Sequence, residues 1–129
     1  MPAIEIREAS SRVDFDAFVE AAHRANAGSK YYVPLLRDEM HWAFDRKKSP
    51  LVKENDVRAF VAFRDGAPVG RIATIINRAH LAKYNDATGH FGLLQGVDDP
   101  QLFLALLDRA AENLRGKGMR RMQGPFSLT

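Results

Sequence analysis

The 129-residue sequence contains no cysteine, which excludes disulfides, thiolate metal sites and cysteine nucleophiles. It has no apolar run near the roughly 20 residues that a membrane span needs. Its opening, Met1-Pro2-Ala3-Ile4-Glu5-Ile6-Arg7, is charged early and lacks the apolar stretch of a signal peptide. A cytoplasmic location without membrane attachment is therefore expected. There is no Gly-x-Ser-x-Gly elbow, no Gly-x-x-x-x-Gly-Lys phosphate loop and no dinucleotide fingerprint. Hydrolase, nucleotide-triphosphatase and dehydrogenase chemistries have no support on that ground. His23 and His41 carry no metal-binding spacing, and no metal site is expected.

What is present is an ordinary globular composition, 46% hydrophobic and 27% charged. The length fits a single domain over residues 1–129. The net charge is +3, unevenly spread. Residues 1–56 hold nine Lys/Arg against ten Asp/Glu, and residues 57–129 hold ten against six. The densest basic clusters are Arg46-Lys47-Lys48 and Lys117 with Arg120-Arg121. Cations near a helix C-terminus are the simpler explanation of the second cluster. No nucleic-acid-binding motif accompanies either one, so a nucleic-acid partner is not expected.

Hydrophobic periodicity orders the elements. Ile4-Glu5-Ile6 alternates as a short strand. A helix follows with Asp14 as its expected N-cap and Phe15, Phe18, Val19 and Ala22 on one face. A second helix is expected from Leu35 to about Phe44. Residues 57–63 and 69–76 form two β-rich runs around Asp65-Gly66, a turn that supplies positive φ angles. Both strands are apolar on both faces and need cover on both sides. Residues 77–87 read as a loop or a short turn of helix, and residues 89–95 as a strand. Asp99-Pro100 then opens a helix with Leu102, Leu106, Ala110 and Leu114 along one stripe. Residues 119–122 enter a last strand before Gly124-Pro125. The expected fold is α/β (α+β), a mixed, mostly antiparallel sheet flanked by helices in the order β-α-α-β-β-β-α-β.

Three pieces of this order resemble the Gcn5-related N-acetyltransferase (GNAT) superfamily. They are the hairpin Ala59-Phe60-Val61-Ala62-Phe63-Arg64-Asp65-Gly66-Ala67-Pro68-Val69-Gly70-Arg71-Ile72, the strand-to-helix step from Phe91-Gly92-Leu93-Leu94 to Asp98-Asp99-Pro100, and the exit Leu114-Arg115-Gly116-Lys117-Gly118-Met119. Gly70-Arg71-Ile72-Ala73, Asn77-Arg78-Ala79-His80, Phe91-Gly92 and Gly124-Pro125-Phe126 also resemble a bacterial group of GNAT-like proteins. The resemblance implies transfer of an acyl group from acetyl-CoA or another acyl-CoA to a small-molecule amine. It implies a cofactor site between strands four and five, with the pyrophosphate on backbone amides of an [Arg/Gln]-x-x-Gly-x-[Gly/Ala] loop at the next helix start. On this chain those positions are Leu94, Gln95, Gly96 and Val97. The loop departs from the pattern, with one glycine, with Pro100 lacking an amide and with Asp98 and Asp99 bringing negative charge.

For catalysis the same reading names His90 as the titratable base and Gln95 as a hydrogen-bonding group that cannot take a proton. Strand alternation places His90 on one face with Gly92 and Leu94, and Gln95 on the other. His80 and Asn77 follow strand three, where ligand-facing loops gather. The later helix, the last two strands and the tyrosine acid of the resembled fold have no counterpart before Thr129. The expectation is thus the N-terminal portion of a GNAT-like fold, truncated after strand five and completed by a homodimer or a larger parent chain. The alternative is a non-catalytic GNAT-like interaction or ligand-binding module completed by a partner chain.

Overall fold

The computed structural model describes residues 4–26, 44 and 55–126. Its elements are β1 (Glu5–Glu8), α1 (Arg12–Ala25), β2 (Asp56–Arg64), β3 (Ala67–Ile76), α2 (Arg78–Tyr84), β4 (Thr88–Gly96), α3 (Pro100–Gly116) and β5 (Arg121–Phe126). The strands make one sheet in chain order β1-β2-β3-β4-β5. All neighbours are antiparallel except β4 and β5, which run parallel. This is the mixed, mostly antiparallel sheet that the sequence predicts.

The central strands are covered on both faces, which is why β2 and β3 are nearly continuously apolar. On one face, α1 packs Phe18 and Val19 with Val57, Ala59, Val61, Ala73 and Ile75. On the other, α3 packs Leu102, Leu106 and Ala110 with Phe60, Ala62 and Ile72. Leu102 and Leu106 are wholly buried, and each contributes about 1.5–3 kcal/mol by leaving water. α3 approaches closely because β4 presents glycines to it. A Cβ on Gly89 would stand 2.6 Å from Leu114 Cδ2, and one on Gly96 2.8 Å from Leu102 Cδ2.

Local chemistry sets the element ends, with three corrections. The N-cap of α1 is Ser11, three residues before Asp14. Ser11 Oγ accepts the Asp14 N–H and the Asp14 carboxylate accepts the Ser11 N–H, a capping box. Residues 78–84 form a full short helix, α2, capped by Asn77. The last strand begins later than expected and runs through Gly124-Pro125 rather than ending before them. The expected helix over 35–44 lies outside the described residues, except Phe44, whose ring lies 5.2 Å from Phe15 and 5.6 Å from Phe18. The hairpin turn is as expected, with Asp65 and Gly66 both at positive φ.

Candidate functional site

β4 carries the residues of interest, and its register decides where they point. Opposite Ile75 stands His90, opposite Ala73 stands Gly92, and opposite Arg71 stands Gln95. One residue of β3, Ile72, therefore faces two of β4, a β-bulge at Leu93–Leu94. Leu93 sits there at φ +54°. Its carbonyl accepts a bond from Arg71 Nε at 3.1 Å. Arg71 is only 3% exposed, and its guanidinium also lies 4.8 Å from the Phe18 ring centre.

The bulge reverses side-chain parity beyond it. His90, Gly92 and Gln95 all lie on the α1 face, because their partners Ile75, Ala73 and Arg71 do. Leu94 packs on the α3 face. The expectation that Leu94 shares a face with His90 while Gln95 turns away is overturned, since simple alternation fails across the extra residue. Sharing a face does not bring His90 and Gln95 together. Their partners Ile75 and Arg71 stand four positions apart on β3, about 13 Å at roughly 3.3 Å per residue. Gln95 is held elsewhere, its amide oxygen accepting from Asn26 Nδ2 at the end of α1.

Near His90 the sequence reading omitted one group, Asp86. The His80 ring lies 5.1 Å from that of His90, with the planes at 83°. His80 Nε2 stands 3.1 Å and 3.3 Å from the two Asp86 carboxylate oxygens. Asp86 also accepts the Thr88 N–H at 3.2 Å. Burial pushes the His90 imidazole below its usual 6.5, the His80 charge pushes the same way, and Asp86 partly opposes both. His90 is thereby neutral at neutral pH and able to accept a proton. The signal for Asp86 was present as a carboxylate six residues after His80, but only the fold of α2 shows that they meet.

The β4–β5 ladder runs from Thr88 opposite Arg121 to Gly92 opposite Phe126. β4 itself continues to Gly96. Beyond Gly92, β4 pairs with β3 alone among the described residues. Phe126 is the last described residue of β5, and the described ladder ends with it.

The helix start beyond it does not fit a pyrophosphate. The Val97 amide donates to the Val69 carbonyl at 2.9 Å. Pro100 has no amide hydrogen, and the Gln101 amide is taken by the Asp99 side chain. Leu102 and Phe103 donate to the Asp99 carbonyl. Asp99 is the N-cap, as its sequence position predicts. Its carboxylate binds Arg64. That bond, reinforced by the Gln101 amide, holds the group below the usual 3.8. A charge-neutralised carboxylate thus occupies the anion-welcoming helix end.

The basic clusters fare differently from one another. Lys117 pairs with Asp56, while Arg46-Lys47-Lys48 lie outside the described residues. No grouping of side chains suited to a metal ion occurs among the described residues. No described helix is long and apolar enough to cross a membrane.

No protein-family model matches the chain. Two curated proteins are similar to it. Protein YghO of Escherichia coli is 44% identical over 71 residues, covering 55% of this chain and 18% of that protein. The bacterial ceramide synthase of Caulobacter vibrioides is 32% identical over 113 residues, covering 87% of this chain and 29% of that protein. The chain thus spans less than a third of the length of the curated relatives it matches. Among solved structures, an aminoglycoside acetyltransferase, meta-AAC0020, from an uncultured soil metagenomic sample superimposes with a TM-score of 0.65 at 14% identity. It covers 96% of this chain and 78% of that one. A GNAT-family acetyltransferase of Staphylococcus aureus gives 0.61 at 13% identity, covering 93% and 71%. The PaiA N-acetyltransferase of Thermoplasma acidophilum, solved with coenzyme A, gives 0.56 at 20%, covering 91% and 75%. With its strand order, parallel β4–β5 pair and flanking helices, the chain has the GNAT acetyltransferase fold.

Proposed function

We propose that this chain is part of an N-acyltransferase that joins a long-chain acyl group, carried as a coenzyme A thioester, to a long-chain amino alcohol. The observation that carries this reading is 32% identity over 113 residues to a protein named for ceramide synthesis, on a fold shared with acetyltransferases. A ceramide is an amide between a fatty acyl group and the amine of a long-chain amino alcohol. Because the chain spans 29% of that relative, the activity is proposed for the whole protein.

Amide formation makes a C–N bond as the thioester C–S bond breaks, the amine losing a proton and the departing thiol gaining one. His90 is the group assigned to take the amine proton. Burial lowers its pKa from the usual 6.5, and it stands on the α1 face two residues from Gly92, the last β4 residue paired with β5 among the described residues. Gln95 has a different role, tying the far end of β4 to α1 through Asn26. Leu94 and Gly96 face α3. The first turn of α3 has no role in binding the donor, because its amides are already bonded.

That closed helix start is also the one observation favouring the alternative, a non-catalytic module. Amide spectra of the full protein with a long-chain acyl-CoA separate the two. The acyltransferase reading expects shifts at residues 90–96 and none at residues 100–103. Unchanged spectra at millimolar acyl-CoA remove it.

A further inference from the structure

We propose that Asp86 and His80 are positioning residues for His90, a carboxylate–imidazole pair that fixes the second imidazole on the α1 face of β4. The proposal rests on the reading of His90 as the base for acyl transfer. Its geometry is a chain of three groups. Asp86 is anchored at the start of β4 by the Thr88 amide, and His80 is anchored at the start of α2, where its amide donates to Asn77 Oδ1 at 3.0 Å. Asp86 grips His80 through Nε2. The His80 ring is further wedged between Tyr84, 4.8 Å away, and His90, 5.1 Å away. Both turns that set this distance are specified locally, Asn77 as the cap of α2 and Asn85 at φ +47° at its exit.

His90 itself gains no orientation from hydrogen bonding at Nδ1, which is buried without a partner among the described residues. The ring contact with His80 is therefore what holds it, and Nε2 is the nitrogen left for a substrate proton. The other elements around His90 supply little charge. β3 offers Ile75 and β5 offers Gln123 across the ladders, both uncharged. α2 carries Lys83, which lies 5.3 Å from the Tyr84 ring centre. α1, on the same face, carries Glu20 and Arg24, paired with each other, and His23. The charges that act on His90 are those of His80 and Asp86.

The test uses the full protein, with imidazole NMR titration and acyl-transfer kinetics as separate readouts. His80→Gln keeps a donor for Asp86 but removes the titratable ring. It is expected to raise the His90 midpoint, because the His80 contribution that lowers it is removed, and to move the acidic limb of the rate with it. Asp86→Asn is expected to lower kcat by about ten- to a hundred-fold with KM for the amine unchanged, because the ring loses its placement. An unmoved His90 midpoint in a His80→Gln protein with an otherwise native amide spectrum overturns the proposal. So does an unchanged kcat in Asp86→Asn. A shifted midpoint in a protein that transfers no acyl group upholds the contact and removes the acyltransferase reading instead.

Discussion

Asp99 shows how one side chain settles a local question. It caps α3 through the Gln101 amide and neutralises Arg64 on the β2–β3 hairpin. Asp99→Ala is expected to lower the midpoint of denaturant unfolding, with Asp99→Ser recovering most of the capping share. The pH dependence follows from signs. Hydrogen bonding by Arg64 holds Asp99 below 3.8. Asp56 is also held below that value, since bonds from Lys117 and Arg58 outweigh its burial. Both contributions are complete above pH 3.8 and are lost as pH falls through the lower folded values. His90 is depressed from 6.5, so the unfolded chain takes up its proton first and stability begins to fall below pH 6.5. Two stages of acid destabilisation are therefore expected by circular dichroism, and His90→Gln should abolish this imidazole's contribution to the earlier one. At this scale the sequence was partly transparent. Asp99-Pro100 declared its cap, whereas Ser11 and Asp14 are both capping types three apart. Only the reciprocal hydrogen bonds show which is the cap and which closes the box.

At the scale of elements, legibility followed burial. The β2–β3 hairpin and α3 were visible because their apolar patterns match their buried faces. α2 was legible only as a loop or a short turn of helix, because none of its seven residues is buried, leaving no stripe to read. The β4 bulge was hidden for a different reason. Leu93 at positive φ has no glycine to announce it, and Arg71, which bonds its carbonyl, is distant in sequence. Every side-chain direction beyond the bulge was consequently inverted, including that of Gln95. The close packing of α3 gives a direct test. Gly89→Ala should destabilise by about 1–3 kcal/mol through overpacking against Leu114, and Leu106→Ala by about 2–5 kcal/mol through a cavity. Chemical denaturation with unchanged m-values checks both. A neutral Gly89→Ala would mean that α3 stands further from β4 than described.

For the molecule as a whole, the sheet separates two kinds of work. The α3 face is closely packed, and its helix start is already satisfied by Asp99. The α1 face carries His90, beside His80, and the buried Arg71. Resemblance in sequence pattern revealed the fold because the hairpin and helix starts are local signals. It did not show how the side chains beyond Gly92 turn, which depends on a bulge, or that Asp86 meets His80, which happens only in three dimensions. The central claim is N-acyl transfer with His90 as base, and amide formation tests it most directly. The full protein is incubated with a long-chain acyl-CoA and a long-chain amino alcohol, and the N-acyl product is measured by mass spectrometry beside a folded His90→Gln variant. The account predicts product from the native protein and a kcat lower by about a hundred-fold or more in the variant. No product from the native protein, or equal turnover by the two, would contradict it.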